Sequence, residues 1–197
     1  MGDLLDKDDE NEIVDKVEGI AEKLSFKSRF VMVFGEITQA SARTTCERLI
    51  ALAQDSEAPI SVLVSSPGGH VESGDAIHDV IRFVRAPVTT IGTGWVASAG
   101  THIFLAAPKN RRVCLPNTRF MIHQPGGGAG GRATDIAIQA REILKTRERV
   151  ARVIARETGQ PLEKVVNDME RDFWMSAEEA VTYGIVSRII EKHQDLA

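Results

Sequence analysis

The amino-acid sequence predicts an α/β domain built on a largely parallel sheet. Short, β-branched apolar runs alternate at close intervals with segments whose apolar residues recur at helical spacing, the pattern of strand and crossover helix. Breakers such as SSPGG and Pro87 fall between the two kinds of segment. With 197 residues, 43% of them hydrophobic, the chain can bury one good core, and its length favours a single domain.

Residues 1–25 read as an acidic leader: within residues 1–22, Asp3, Asp6, Asp8, Asp9, Glu10, Glu12, Asp15, Glu18 and Glu22 are set against Lys7 and Lys16. A segment so charged is expected to be a solvated, mobile arm. FVMVF (30–34) then reads as a buried strand. Ala42, Cys46, Leu49, Ile50 and Ala53 follow at helical spacing, with Thr38 as the cap. ISVLV (60–64) is a second strand, ended by SSPGG. Ile77, Val80, Ile81 and Val84 share one face of a helix that stops before Pro87. VTTIG (88–92) is a third strand and residues 98–107 a third helix.

RFMIH (119–123) is the next strand, followed by the glycine-rich GGGAGG (126–131). A long helix is expected over about 133–157. Its apolar stripe of Ile136, Ala140, Ile143 and Leu144 runs beside Glu142, Lys145, Arg147, Glu148, Arg149 and Arg152. A helix of that length should project beyond the core of so small a domain and meet a partner subunit. Ser176 and Glu179 form a capping box, Gly184 is a C-cap, IVSRII is the last strand, and residues 193–197 are a tail.

Composition excludes several classes. Cys46 and Cys114 are too few for a disulfide framework and lack metal-ligand spacing, which favours a reducing cytosol. No apolar run approaches the roughly 18 residues of a membrane span. Basic residues are dispersed without an aromatic platform, so nucleic acid is not an expected partner. GGGAGG lacks the Lys-Ser/Thr ending of a phosphate loop, and no G-x-G-x-x-G opens a helix.

Chemistry is best sought at GWVASAG. Ser98 sits between a strand and a helix, where the Ala99 N–H is an unpaired first-turn donor. Its small neighbours also suit mere close packing of backbones. SSPGG occupies a similar junction, and one donor from it with one from Ala99 would suit an oxyanion. A hydrolase elbow places Gly two residues before the serine, where this chain has Val96. A nucleophilic serine needs a base. His78 and His193 read as surface residues, and His102 as a partly buried helix histidine. His70 follows the Gly-Gly pair, and His123 ends a strand. The residues alone favour His123 over His70 and leave the orienting carboxylate open.

Five blocks stand in order between about residues 30 and 192: SSPGGHVESGDAI, GWVASAG, CLPNTRFMIHQP, GGRATDIAIQAREILKTRERV and TGQPLEKVVNDMERDFWMSAEEAVTYGIV. By them the chain resembles the proteolytic subunits of the Clp protease. The resemblance implies a serine endopeptidase that cuts unfolded polypeptides to short peptides. Ser98 would be the nucleophile, His123 the base and then acid, and Asp172 the residue that orients His123. The N–H groups of Gly69 and Ala99 would form the oxyanion hole.

The resemblance further implies a spiral of repeated strand-strand-helix (ββα) units, a fold shared with the crotonase superfamily. Residues 26–192 would be one catalytic domain, and the helix at 133–157 a handle through which two heptameric rings stack. The glycine-rich segment would pair across that interface, Asp135 and Arg171 would link the rings, and Gln124 and Arg132 would belong to the same contact. An AAA+ ATPase would feed substrate, no cofactor would be needed, and the location would be cytoplasmic.

The chain departs from the family pattern in places. The acidic leader replaces the usual gating segment. Ser61, Leu63 and Val113 stand where relatives carry aromatic residues in the ATPase-docking cleft, which predicts weaker anchoring. Arg132 replaces a glutamine. Trp95 is expected in the core, with narrowing of a specificity pocket as the alternative. Two other functions stay open at this level: a crotonase-type acyl-CoA enzyme, which also uses two backbone donors, and a non-catalytic ring subunit.

Overall fold

A computed structural model describes residues 19–128 and 130–196. Most of the acidic leader, residues 1–18, lies outside them. Residues 19–27 form a helix, α1, which runs across the boundary expected at residue 25. Glu22 on α1 reaches Arg48 at 2.9 Å, so this end of the leader is tied to the domain.

β1 (Phe30–Ile37), β2 (Ile60–Gly69) and β3 (Val88–Ala97) pair in parallel in that order. Each outruns its apolar stretch because each bends midway. The register shifts between Phe34 and Glu36 in β1 and between Val64 and Ser66 in β2, and β3 turns through Gly94 at φ 59°. The two halves of β3 then take different neighbours: Thr90–Gly92 pairs with β4 (Arg112–Cys114), and Trp95–Ala97 with β5 (Arg119–Ile122). A bent strand thus acts as two strands. With α2 (Gln39–Asp55), α3 (Val71–Phe83) and α4 (Ala99–Phe104) following β1, β2 and β3, the repeat is strand, strand, helix, and the chain coils as the expected ββα spiral.

SSPGG is therefore not a break but the second half of β2, paired as far as Ile37 opposite Gly69. The register shift beside Pro67 absorbs its missing N–H, since proline is tolerated at bulges. Likewise β3 continues five residues beyond VTTIG to reach Ser98, whereas the third helix is shorter than expected and ends at Phe104 in a buried turn.

Alternate residues of β2, among them Ile60, Val62 and Val64, enter the core with Leu49 and Leu52 of α2 and Ile77 and Ile81 of α3. Burying each such side chain stabilises the fold by roughly 1.5–3 kcal/mol before entropy is counted. Thr38 caps α2 through a reciprocal bond with Ser41.

α5 (Ala133–Thr158) is 26 residues long, and only Ala151, Ile154 and Thr158 are buried. Its second half docks on the domain. Its first half projects, with Ile136, Ile138 and Leu144 exposed. α6 (Leu162–Asp168) leads to β6 (Phe173–Met175), which pairs antiparallel with β5. α7 (Ala177–Tyr183) has the expected Ser176–Glu179 capping box and ends at Gly184 in the left-handed conformation. β7 (Arg188–Ile189) is shorter than IVSRII suggested, because Ile185 and Val186 pack into the core before the strand begins.

Two side chains depart from their expected environments. His78, read as a surface residue, is only 5% exposed, because its ring stacks on His102 at 4.5 Å. Trp95, expected in the core, is 46% exposed: it precedes Val96 on β3, and only Val96 faces inward at that register. Among the described residues, no helix is long and apolar enough to cross a membrane.

Candidate active site

β3, β5 and β6 bring three distant residues together. Ser98 follows β3 with φ 56° and ψ −122°, an unusual backbone for a side-chain-bearing residue. Its N–H donates to Met121 O at 2.9 Å. The Thr101 hydroxyl lies 2.8 Å from Val96 O and 2.9 Å from Met121 O, pinning the ends of β3 and β5 beside it.

Close packing and chemistry coincide here. A Cβ on Gly68 would fall 2.6 Å from Ser98 Cβ and 3.0 Å from the Ala99 nitrogen, and one on Gly100 would fall 3.1 Å from Ser66 O. GWVASAG and SSPGG therefore face each other with no room for larger residues. That contact sets the Gly68–Gly69 backbone against the start of α4. Gly69 has φ 143°, and a side chain there would collide with Ile37 O. The Ala99 N–H, at the helix start, has no intrahelical acceptor.

His123 follows β5, and Asp172 precedes β6. The antiparallel register places Ile122 opposite Phe173, so the next pair outward is His123 and Asp172. His123 Nδ1 stands 2.8 Å from Asp172 Oδ1, and His123 Nε2 stands 2.8 Å from Ser98 Oγ. An ionised carboxylate only accepts, which puts the proton on Nδ1 and leaves the Nε2 lone pair to accept from the serine hydroxyl. The arrangement can remove a proton from Ser98 while a carboxylate stabilises the resulting imidazolium.

The loop that carries Asp172 is held from several sides. The Gln124 N–H donates to Met169 O at 2.7 Å, its side-chain amide donates to Glu170 O at 3.0 Å, and Arg147 of α5 pairs with Glu170 at 2.7 Å. Arg171 and Asp135 are exposed, the latter in the first turn of α5, and Arg132 occupies the N-cap position of that helix. Of the three positions expected in a docking cleft, Val113 is buried against Ile91 and Ile190, while Ser61 and Leu63 are partly open.

The other histidines do not reach the serine hydroxyl. His70 sits at the start of α3, 2.7 Å from Ser73 Oγ. His102 turns away to Asp75 at 2.9 Å. Beside Ser98 lies a small cavity, about 30 Å³, lined by Val71, Ile122, Pro125, Val150, Ile154 and His102. Val150 and Ile154 were not singled out in the sequence, although they prolong the α5 apolar stripe at helical spacing. Gly68 and Thr101 gave no such signal, because their roles depend on segments that meet only in the fold. Among the described residues, no cluster of three His, Cys, Asp or Glu side chains could hold a metal ion.

Comparison with known proteins finds relatives along nearly the whole chain. The sequence model of the family described as Clp protease matches residues 14–193. The ATP-dependent Clp protease proteolytic subunit 3 of Rhizobium etli is 56% identical over 171 residues, which cover 87% of this chain and 88% of that protein. Subunit 2 of Gluconobacter oxydans is 55% identical over 192 residues, 96% of this chain and 86% of the relative. The solved structure of ClpP1 from Listeria monocytogenes is 47% identical and aligns with a TM-score of 0.81 over 90% of this chain and 99% of its own.

Proposed function

Since this chain belongs to the Clp protease family and is a serine-type proteolytic subunit, we propose that Ser98, His123 and Asp172 are the groups with which it cleaves peptide bonds. The observation that carries this reading is the unbroken relay from Asp172 through His123 to Ser98, with both hydrogen bonds at 2.8 Å. His123 Nε2 takes the Ser98 proton as Oγ attacks the scissile carbonyl. The N–H groups of Gly69 and Ala99 receive the developing oxyanion. His123 then protonates the leaving amine, and water attacks the acyl-enzyme by the same route in reverse.

The substrate is an unfolded polypeptide, delivered by the Clp-type ATPase with which such a subunit works in the cytoplasm. The exposed apolar side of α5 supports the assembly of two stacked heptameric rings through this helix, with Asp135, Arg171, Gln124 and Arg132 at the contact. Arg171 adjoins Asp172, so ring pairing bears directly on the relay.

Replacing Ser98 with alanine tests the assignment. Peptide turnover should fall by up to about 10⁶-fold, and a fluorophosphonate should no longer label the chain. Unchanged hydrolysis would remove Ser98 from the mechanism.

A further inference from the structure

His102 takes no part in the relay, yet it is one helical turn beyond Ser98, its N–H donates to Ser98 O at 3.1 Å, and its ring walls the cavity beside the nucleophile. Three contacts immobilise that ring. Nε2 meets Asp75 Oδ1 at 2.9 Å, one face stacks on His78 at 4.5 Å, and α4 itself is buried along its length. Asp75 is fixed in turn by Arg149 of α5, whose two terminal nitrogens grip its two oxygens at 2.6 and 2.8 Å. Burial works against the Asp75 charge, but hydrogen bonds from His102 and Arg149 outweigh it and hold the carboxyl well below its usual range.

An ionised Asp75 accepts the Nε2 proton, so Nδ1 is a bare lone pair, buried and without a partner among the described residues. Buried ionic networks stabilise little compared with well-packed apolar rings, and an orphaned acceptor costs about 1–3 kcal/mol. Packing alone would favour a phenyl ring here. The gain lies in rigidity, because a ring bonded at its tip and stacked on its face cannot swing aside as a free aromatic side chain can.

We infer that His102 is a specificity-determining residue: held by Asp75 and Arg149, it closes the apolar pocket beside Ser98 so that only a small side chain enters at the residue whose carbonyl is attacked. A cavity of about 30 Å³ holds little more than one water or a methyl group. Apart from Ser98 and His123 of the relay, the remaining walls, Val71, Ala99, Ile122, Pro125, Val150 and Ile154, are apolar and suit alanine or a similarly small residue. The inference rests on Ser98 being the nucleophile.

The test uses the assembled full chain and blocked fluorogenic peptides that differ only in alanine, leucine or phenylalanine at that residue. The wild type should prefer alanine over phenylalanine by at least about tenfold in kcat/KM. His102→Ala should erase or invert that ratio, and Asp75→Ala, which frees the ring, should move it the same way. Fluorophosphonate labelling of Ser98 is measured in parallel and should persist in every variant. Should a variant fail to assemble by native mass, the wild-type ratio still decides. A wild type that cleaves after phenylalanine as fast as after alanine overturns the inference, as does an unchanged ratio in labelled His102→Ala. Absence of labelling in the wild type would instead strike at the nucleophile, and this inference would fall with it.

Discussion

Ser98 holds a positive φ that few residues with a side chain adopt, and Gly68, directly against it, makes that conformation possible. Gly68→Ala should therefore abolish peptide hydrolysis, since its Cβ would push on both Ser98 and the Ala99 nitrogen at an already left-handed φ of 99°. Circular dichroism would show whether the fold survives the change. Asp172 acts by holding one tautomer, so Asp172→Asn should lower kcat by about 10⁴-fold while preserving the assembled mass. Away from the relay, burial and the neighbouring His102 push His78 down to about 4. The native state keeps His78 neutral, whereas the unfolded chain takes up a proton near 6.5, so stability is full above about pH 6.5 and declines as pH falls towards 4. The loss is at most about 3 kcal/mol. Asp75, also depressed, adds to the decline at still lower pH. Thermal melts of His78→Phe should show a flatter slope between pH 6.5 and 4, with Asp79, Arg82 and His102 unchanged around it.

Elements matter here through where they stop. β3 ends at Ala97, β5 at Ile122 and β6 begins at Phe173, and the functional groups occupy the next position in each case. Moving any of these strands by one residue would turn its functional side chain to the opposite face. α7 lies directly after β6, and its capping box anchors the return from that strand. Ser176→Ala removes the bond to the Glu179 N–H and should lower stability by about 1 kcal/mol, read as a shift in urea midpoint with little change in activity.

At the scale of the molecule, α5 serves two masters. Val150, Ala151 and Ile154 pack on the domain, with Val150 and Ile154 also lining the pocket beside Ser98, while Ile136, Ile138 and Leu144 are exposed on the projecting half, where the proposed ring contact would form. Leu144→Asp should leave each chain folded and halve the native mass from double to single rings. Because Arg171 sits next to Asp172, hydrolysis should fall in step with that loss of mass. A variant that stays fully assembled would count against α5 as the ring contact.

The sequence by itself determined the periodic pattern of strands and helices, the Thr38 cap, the Ser176–Glu179 capping box, the C-cap at Gly184 and the length of α5. All of these depend on neighbours within a few positions along the chain. It also marked Ser98 and His123 as candidates, and its resemblance to a known family supplied Asp172. Only the tertiary structure decided that SSPGG is strand rather than break, that His78 is buried and Trp95 is not, and that Asp75 and Arg149 clamp His102. Those outcomes depend on which distant segments meet, and composition records no such meeting. A glycine run beside a proline looks the same in one dimension whether it turns away from the sheet or bends within it.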